Sequence, residues 1–213
     1  MSDANRTHGL GGGALRTRRM TVGMWLVGLI SATVVLLGIG GSTVERALRY
    51  ERAAVLEAGE YWRLLTGHLV HLSASHMALN LAGLLLIAVL FPRQYSPAAW
   101  LTVGLISVAT IDIGFLWNEP ELEWYVGLSG VLHGALAAGA VAWWRSESKL
   151  YAFLLSVLLV GKLAWEQWSG ALPTSGAMPV VVNAHLYGAV GGLFAALGLQ
   201  LGRQLWPGKP RPL

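Results

Sequence analysis

Apolar residues in this chain come in long, nearly unbroken runs, not in the half-and-half faces of a soluble core. Six stretches of about 20 mostly apolar residues, the length that spans a bilayer core, lie at 21–40, 68–91, 98–117, 127–144, 150–169 and 180–203. They use most of the 213 residues. The pattern therefore predicts an all-α polytopic membrane protein: one bundle of six crossing helices over 21–203, with tails at 1–20 and 204–213. The first tail is Gly-rich and is expected to be disordered. The run RTRRMTVGMWLVGLISATVVLLGIGG starts basic like a signal peptide, but its apolar part exceeds the ~7–15 residues of one, so it reads as an uncleaved first helix.

Connections punctuate the runs. FPRQYSP, RSESK and SGALPTSGAMP carry turn and breaker residues. The segment 41–67 is different: Val44, Leu48, Val55 and Leu56 alternate with Arg and Glu, which suggests amphipathic helix lying at the membrane surface. Tyr61 and Trp62 suit an interfacial anchor just before the second stretch. Neither an internal repeat nor matching mid-span breaks are visible, which argues against a transporter of inverted halves.

Composition agrees with the pattern. Hydrophobic residues make up 54% and charged residues 12%, against about 25% charged in soluble domains, and the mean hydropathy is +0.54. A net charge of +4 and a pI of 9.7 would point to nucleic acid in a soluble protein, but the placement of charge points to a membrane. With the N-terminus inside, the cytoplasmic segments hold ten Lys or Arg: Arg6, Arg16, Arg18, Arg19, Arg93, Arg145, Lys149, Arg203, Lys209 and Arg211. The outer segments hold four, all in 41–67, and the second outer loop, NEPELEWY, is purely acidic. The positive-inside rule then places both termini in the cytoplasm. There is no cysteine, which removes disulfides, thiolate metal sites and thiol nucleophiles.

Polar groups in a bilayer are costly unless partnered, so they mark candidate function. The second stretch opens GHLVHLSASHMALN, with His68, His71, His76 and Asn80; the fourth carries Gly127, Ser129, Gly130, His133 and Gly134; the sixth opens PVVVNAHLYGAVGG, with His185, Gly188 and Gly192. These three stretches run in the same direction, so Ser129 and His185, each within two turns of its start, sit at similar depth. His76 and Asn80, four apart on one face, start roughly 12 to 18 Å in if that helix begins at His68. Gly130 with Gly134, and Gly188 with Gly192, are small-xxx-small faces that permit close backbone approach. Helices meeting there could bring Ser129 and His185 within hydrogen-bonding reach. A serine needs such a base to become a nucleophile, and the resulting oxyanion needs donors, for which His76, Asn80 and the Ser129 N–H are candidates.

GLSG at 127–130, AHLYG at 184–188, HMALN at 76–80 and EYWR at 60–63 together resemble the rhomboid intramembrane serine proteases, over about residues 21–203. GLSGVLHG, KLAWEQ and NAHLYG are similar to the short bacterial branch called rhombosortases. The resemblance implies Ser129 as nucleophile and His185 as general base, a dyad with no obligatory acid. It further implies His76 and Asn80 as oxyanion stabilisers, Glu60 and Arg63 as a structural pair, and no cofactor. Its implied substrates are single-span proteins ending in Gly-Gly, a transmembrane helix and a basic tail, cut near the outer face of the cytoplasmic membrane. This chain departs from many rhomboids in carrying His133 four residues after the serine, where an aromatic stacks under the base.

His133 shares the Ser129 face and is either the packing beneath His185 or a rival base. Lys162 and Glu166, at i and i+4, are expected to form a structural bridge, with substrate contact as the alternative. Asp112 is a minor candidate to orient the base. His68 and His71 are read as interfacial or loop-supporting, and no carboxylate or H-E-x-x-H accompanies the histidines of this stretch to make them a metal site. A non-catalytic protein that binds membrane helices is the rival from another class.

Overall fold

The computed structural model describes residues 11–145, 149–172 and 179–205. Half of the expected N-terminal tail, most of the C-terminal tail and parts of the RSESK and SGALPTSGAMP connections lie outside the described residues. The chain runs α1 (Gly11–Ile39), α2 (Gly41–Leu48), β1 (Tyr50–Glu51), α3 (Arg52–Leu56), α4 (Arg63–Thr66), α5 (Ala74–Leu90), α6 (Pro97–Asn118), β2 (Trp124–Tyr125), α7 (Ser129–Trp144), α8 (Lys149–Ser169) and α9 (Val182–Leu205). α1 begins ten residues before the apolar stretch that marks it in the sequence.

Six of these helices are long, but length and apolarity together qualify α6, α8 and α9 to cross a bilayer, and a fourth if α1 and α2, bent by 115°, count as one span. α5 and α7 have 17 and 16 residues, or roughly 25 Å each. Of the predicted boundaries, α5 moves most: it starts at Ala74, not His68. The cause is local, because Ser73 takes extended backbone and its hydroxyl accepts from the His76 N–H at 3.1 Å, a cap that begins the helix there. Ser96 caps α6 in the same way, ahead of Pro97 in its first turn.

The segment 41–67 is helical in part, as expected, but it also reaches the core. β1 pairs antiparallel with β2, Tyr50 opposite Tyr125 and Glu51 opposite Trp124. Tyr50, Val55, Ile111, Phe115, Tyr125 and Ala184 form one buried cluster, so this segment is anchored, not merely adsorbed. Arg52 donates to the carbonyls of Phe115 at 2.9 Å and Leu116 at 3.1 Å, satisfying acceptors at the C-terminal end of α6 that the helix itself leaves free. Arg63 pairs with Glu60 and donates to the carbonyls of Arg46 and Arg49, both at 2.9 Å.

α9 packs against both α6 and α7, and a second cluster of Tyr95, Ala99, Val103, Ala138, Ala195 and Ala196 joins these three at the far end. α8, in contrast, turns Leu150, Phe153, Leu154, Leu158 and Val160 outward, as a lipid-facing helix does. Its buried residues are Ala152, Leu159 and Glu166. They recur every seven positions, so Glu166 is the one charged member of the seam that faces the bundle.

Candidate active site

Ser129 is the first residue of α7, and the chain is shaped to deliver it there. Gly127 has φ +122, a backbone conformation that side chains disfavour, and a Cβ on it would come within 2.8 Å of the His76 ring. Its N–H donates to the Gly67 carbonyl at 3.0 Å, and its carbonyl accepts from the Tyr125 hydroxyl at 2.6 Å. The serine is thus fixed from three sides: by β2, by the turn after α4 and by the start of α5.

His185 reaches it because α7 and α9 touch backbone to backbone. A Cβ on Gly130 would meet the Ala184 carbonyl oxygen at 2.8 Å, one on Gly188 would run into the Gly130 carbonyl, and one on Gly192 into the Gly134 carbonyl. The two small-xxx-small faces read from the sequence are the contact itself. At this separation His185 Nε2 lies 2.9 Å from Ser129 Oγ.

The other ring nitrogen has a partner that the sequence reading did not assign. Glu166 places Oε2 at 2.9 Å and Oε1 at 3.1 Å from His185 Nδ1, while Lys162 Nζ donates to Glu166 Oε1 at 2.6 Å. The expected Lys162–Glu166 bridge is present, yet it abuts the histidine as well, with Nζ 3.4 Å from Nδ1. A carboxylate only accepts, so Nδ1 carries the proton and Nε2 turns a lone pair to the serine. Asp112, considered as the group that orients the base, instead takes His68 Nε2 at 3.3 Å. Depth held the missed signal: Glu166 is three residues from the end of α8, and His185 three from the start of α9.

His133 gives Nδ1 to the carbonyl of Ser129 at 2.7 Å and stacks its ring on His185, centroids 4.1 Å apart and planes at 20°. The ring thus packs directly against that of His185. Donor atoms of His133, Glu166 and His185 lie within 4.8 Å of one another, a spacing that a cation could bridge. The Lys162 ammonium stands beside the same carboxylate, 2.6 Å from Glu166 Oε1.

His76 and Asn80 lie with Ser129, His185, Lys162 and Glu166 on one cavity of about 710 Å³. Its apolar wall comes from α5 and α7, including Leu79, Gly83 and Leu136, and Glu121 and Glu123 stand at its edge. With α5 starting at Ala74, His76 falls in the first turn and Asn80 about 9 Å along the helix, shallower than the sequence estimate. Ser129 N–H, at the first position of α7, has no acceptor within its helix. Asn80 turns its amide Nδ2 to the His76 carbonyl at 3.0 Å, leaving Oδ1 buried without a partner among the described residues. The amide nitrogen carries two N–H donors, of which this bond uses one.

His68 is buried against Tyr125, ring centroids 5.4 Å apart. His71, before α5, packs its ring edge on His76 at 5.0 Å. Burial first, and then the neighbouring His76, pushes its pKa down to about 4.

A family model described as the Rhomboid domain matches residues 58–201. The chain is 27% identical over 170 residues to rhomboid protease GluP of Bacillus subtilis (strain 168), covering 76% of this chain and 31% of that protein. It is 28% identical over 143 residues to the putative rhomboid protease YdcA of the same organism, 63% of this chain and 65% of that one. It is also 25% identical over 123 residues to inactive RHOMBOID-like protein 8 of Arabidopsis thaliana, 56% of this chain and 35% of that one. The chain therefore spans about a third of the length of two of these relatives and just under two thirds of the other.

Proposed function

Because this chain belongs to the rhomboid family, we propose that it is an intramembrane serine endopeptidase that works through Ser129 and His185. The observation that carries this reading is the 2.9 Å approach of Ser129 Oγ to His185 Nε2 at a cavity walled by apolar residues. Ser129 Oγ attacks the scissile carbonyl carbon as its proton passes to Nε2, giving a tetrahedral oxyanion and an imidazolium. His76, Asn80 and the Ser129 N–H are the donors for that oxyanion. Collapse breaks the C–N bond, the leaving amine takes the proton from Nε2, and an acyl-Ser129 ester remains. Water then attacks the ester and returns its proton through Nε2, releasing the carboxylic acid and the free hydroxyl. An amine acceptor in place of water would give transfer instead.

In this reading the long helices make six crossings with both ends in the cytoplasm, as the distribution of Lys and Arg favours, and the cavity opens to the outer side of the cytoplasmic membrane. The substrates are single-span proteins whose C-terminal anchor is preceded by Gly-Gly, the class that the rhombosortase-like motifs imply. Small residues at the cut suit the chemistry, because an extended backbone exposes a carbonyl that a helix keeps hydrogen-bonded. Cleavage would free a surface protein from its anchor.

The test is to reconstitute the purified chain with a tagged Gly-Gly anchor substrate and follow cleavage in the parent, Ser129→Ala and His185→Ala. Cleavage by the parent alone supports the reading, and retained cleavage in both variants removes the dyad. A second reading, a non-catalytic binder of membrane helices, draws on the Asn80 amide being engaged by the His76 carbonyl and on the relative that is named inactive. It gains if the parent captures the substrate helix without cutting it.

A further inference from the structure

We propose that Glu166 is the positioning residue of His185 and that Lys162 is the built-in counter-ion of that pair, so that the site works as a Ser129–His185–Glu166 relay held by a fixed cation. The inference rests on the protease reading above and assigns to it a part that the dyad lacks.

Three observations carry it. Glu166 is 3% exposed within an apolar helix, and a carboxylate there is costly unless partnered and hydrogen-bonded. A bridge to Lys162 alone would not aim the carboxylate at a histidine: the Lys162 side chain is 30% exposed, whereas that of Glu166 is 2% exposed and turned into the bundle. Finally, both carboxylate oxygens lie within hydrogen-bonding distance of Nδ1 across the α8–α9 interface.

The chemistry follows from charge. At rest, Glu166 and Lys162 cancel and neutral His185 is held in the Nδ1–H tautomer, ready to accept at Nε2. When the Ser129 proton moves to Nε2, the imidazolium forms against the carboxylate in a low-dielectric site, where that interaction is strong. Glu166 stays ionised throughout. Lys162 tempers the carboxylate, so that the imidazolium still releases its proton to the leaving amine. The other groups facing His185 are Ser129 and His133 of α7, with His76 of α5 across the cavity.

The experiment uses the full chain in detergent and in proteoliposomes. Labelling by a fluorophosphonate reads Ser129 reactivity independently of any substrate, cleavage of the Gly-Gly anchor substrate gives kcat and KM across pH, and 15N-histidine NMR reads the His185 tautomer without turnover. Glu166→Gln is expected to lower kcat on the order of 10³-fold with little change in KM, and Glu166→Asp to restore part of that loss. The acidic limb of the rate profile should move to lower pH in Glu166→Gln, where the imidazolium loses its counter-charge, and to higher pH by about one unit in Lys162→Met, where the carboxylate is no longer tempered. A purely structural bridge would not shift the limb in opposite directions.

The inference is overturned if folded Glu166→Gln and Glu166→Ala keep kcat within threefold of the parent with the acidic limb in place, or if His185 in the parent carries its proton on Nε2. If the parent neither labels nor cleaves, it is the protease reading that fails. The tautomer in the parent and in Glu166→Gln then still decides whether Glu166 positions the ring.

Discussion

His68 with Asp112 and His185 with Glu166 are the same chemical pair, a buried imidazole on a buried carboxylate, at one end of the same bundle. They differ in what the second ring nitrogen meets. His185 turns Nε2 to Ser129 on the wall of the 710 Å³ cavity. His68 encloses Nδ1 without a partner among the described residues and lays its ring against Tyr125. A buried His–carboxylate pair is therefore not a catalytic signature by itself. In the proposed mechanism it becomes one where the far nitrogen faces a hydroxyl on the cavity wall. The same pair elsewhere ties the loop before α5 to α6.

The comparison can be broken at several points. The largest effect is expected from Ser129→Ala and His185→Ala, which should lower cleavage on the order of 10⁴-fold or more, whereas His68→Ala should leave the rate per folded molecule within threefold. Turnover normalised to the folded fraction checks both. Next is Gly188→Ala, whose methyl would be driven into the Gly130 carbonyl. Spreading α7 from α9 misplaces the base, and a displacement near 1 Å costs about 10²-fold, so fluorophosphonate labelling should fall by that factor while the helical circular dichroism persists.

Asn80→Ala should cost roughly 10²-fold in kcat if the amide donates into the oxyanion site, the scale of a lost oxyanion donor. An unchanged rate would leave that role to His76 and the Ser129 N–H. Asp112→Asn should leave the rate alone and lower stability instead, by about 1–3 kcal/mol, measured as thermal unfolding in micelles.

The smallest effect concerns His71. Its pKa is about 4 in the folded protein against an ordinary value of 6.5, so below 6.5 the unfolded chain binds the proton that the folded one refuses. Stability should therefore fall as pH drops from about 6.5 toward 4, and His71→Leu should flatten that slope in a Tm-against-pH series.

Much of this was legible in the sequence. The long apolar runs mark the six long helices, the glycine spacings mark the α7–α9 contact, and the serine and histidine sit where that contact brings them together. The start of α5 was misread because apolarity continues through His68 to Val70, while the helix begins where the Ser73 hydroxyl caps it. Apolarity does not register a cap.

Sequence alone determined the membrane class, the chemistry available and the similar depth of Ser129 and His185, because these depend on the order of residues along one chain direction; the depth of His76 and Asn80 waited on the cap at Ser73. It did not determine which carboxylate serves which histidine. α6 and α8 are apolar around most of their circumference, so their hydropathy carries little information about rotation, and a contact between Glu166 and His185 depends on rotation as much as on depth. The tertiary packing settled it, turning Ala152, Leu159 and Glu166 toward the bundle and leaving Asp112 to His68.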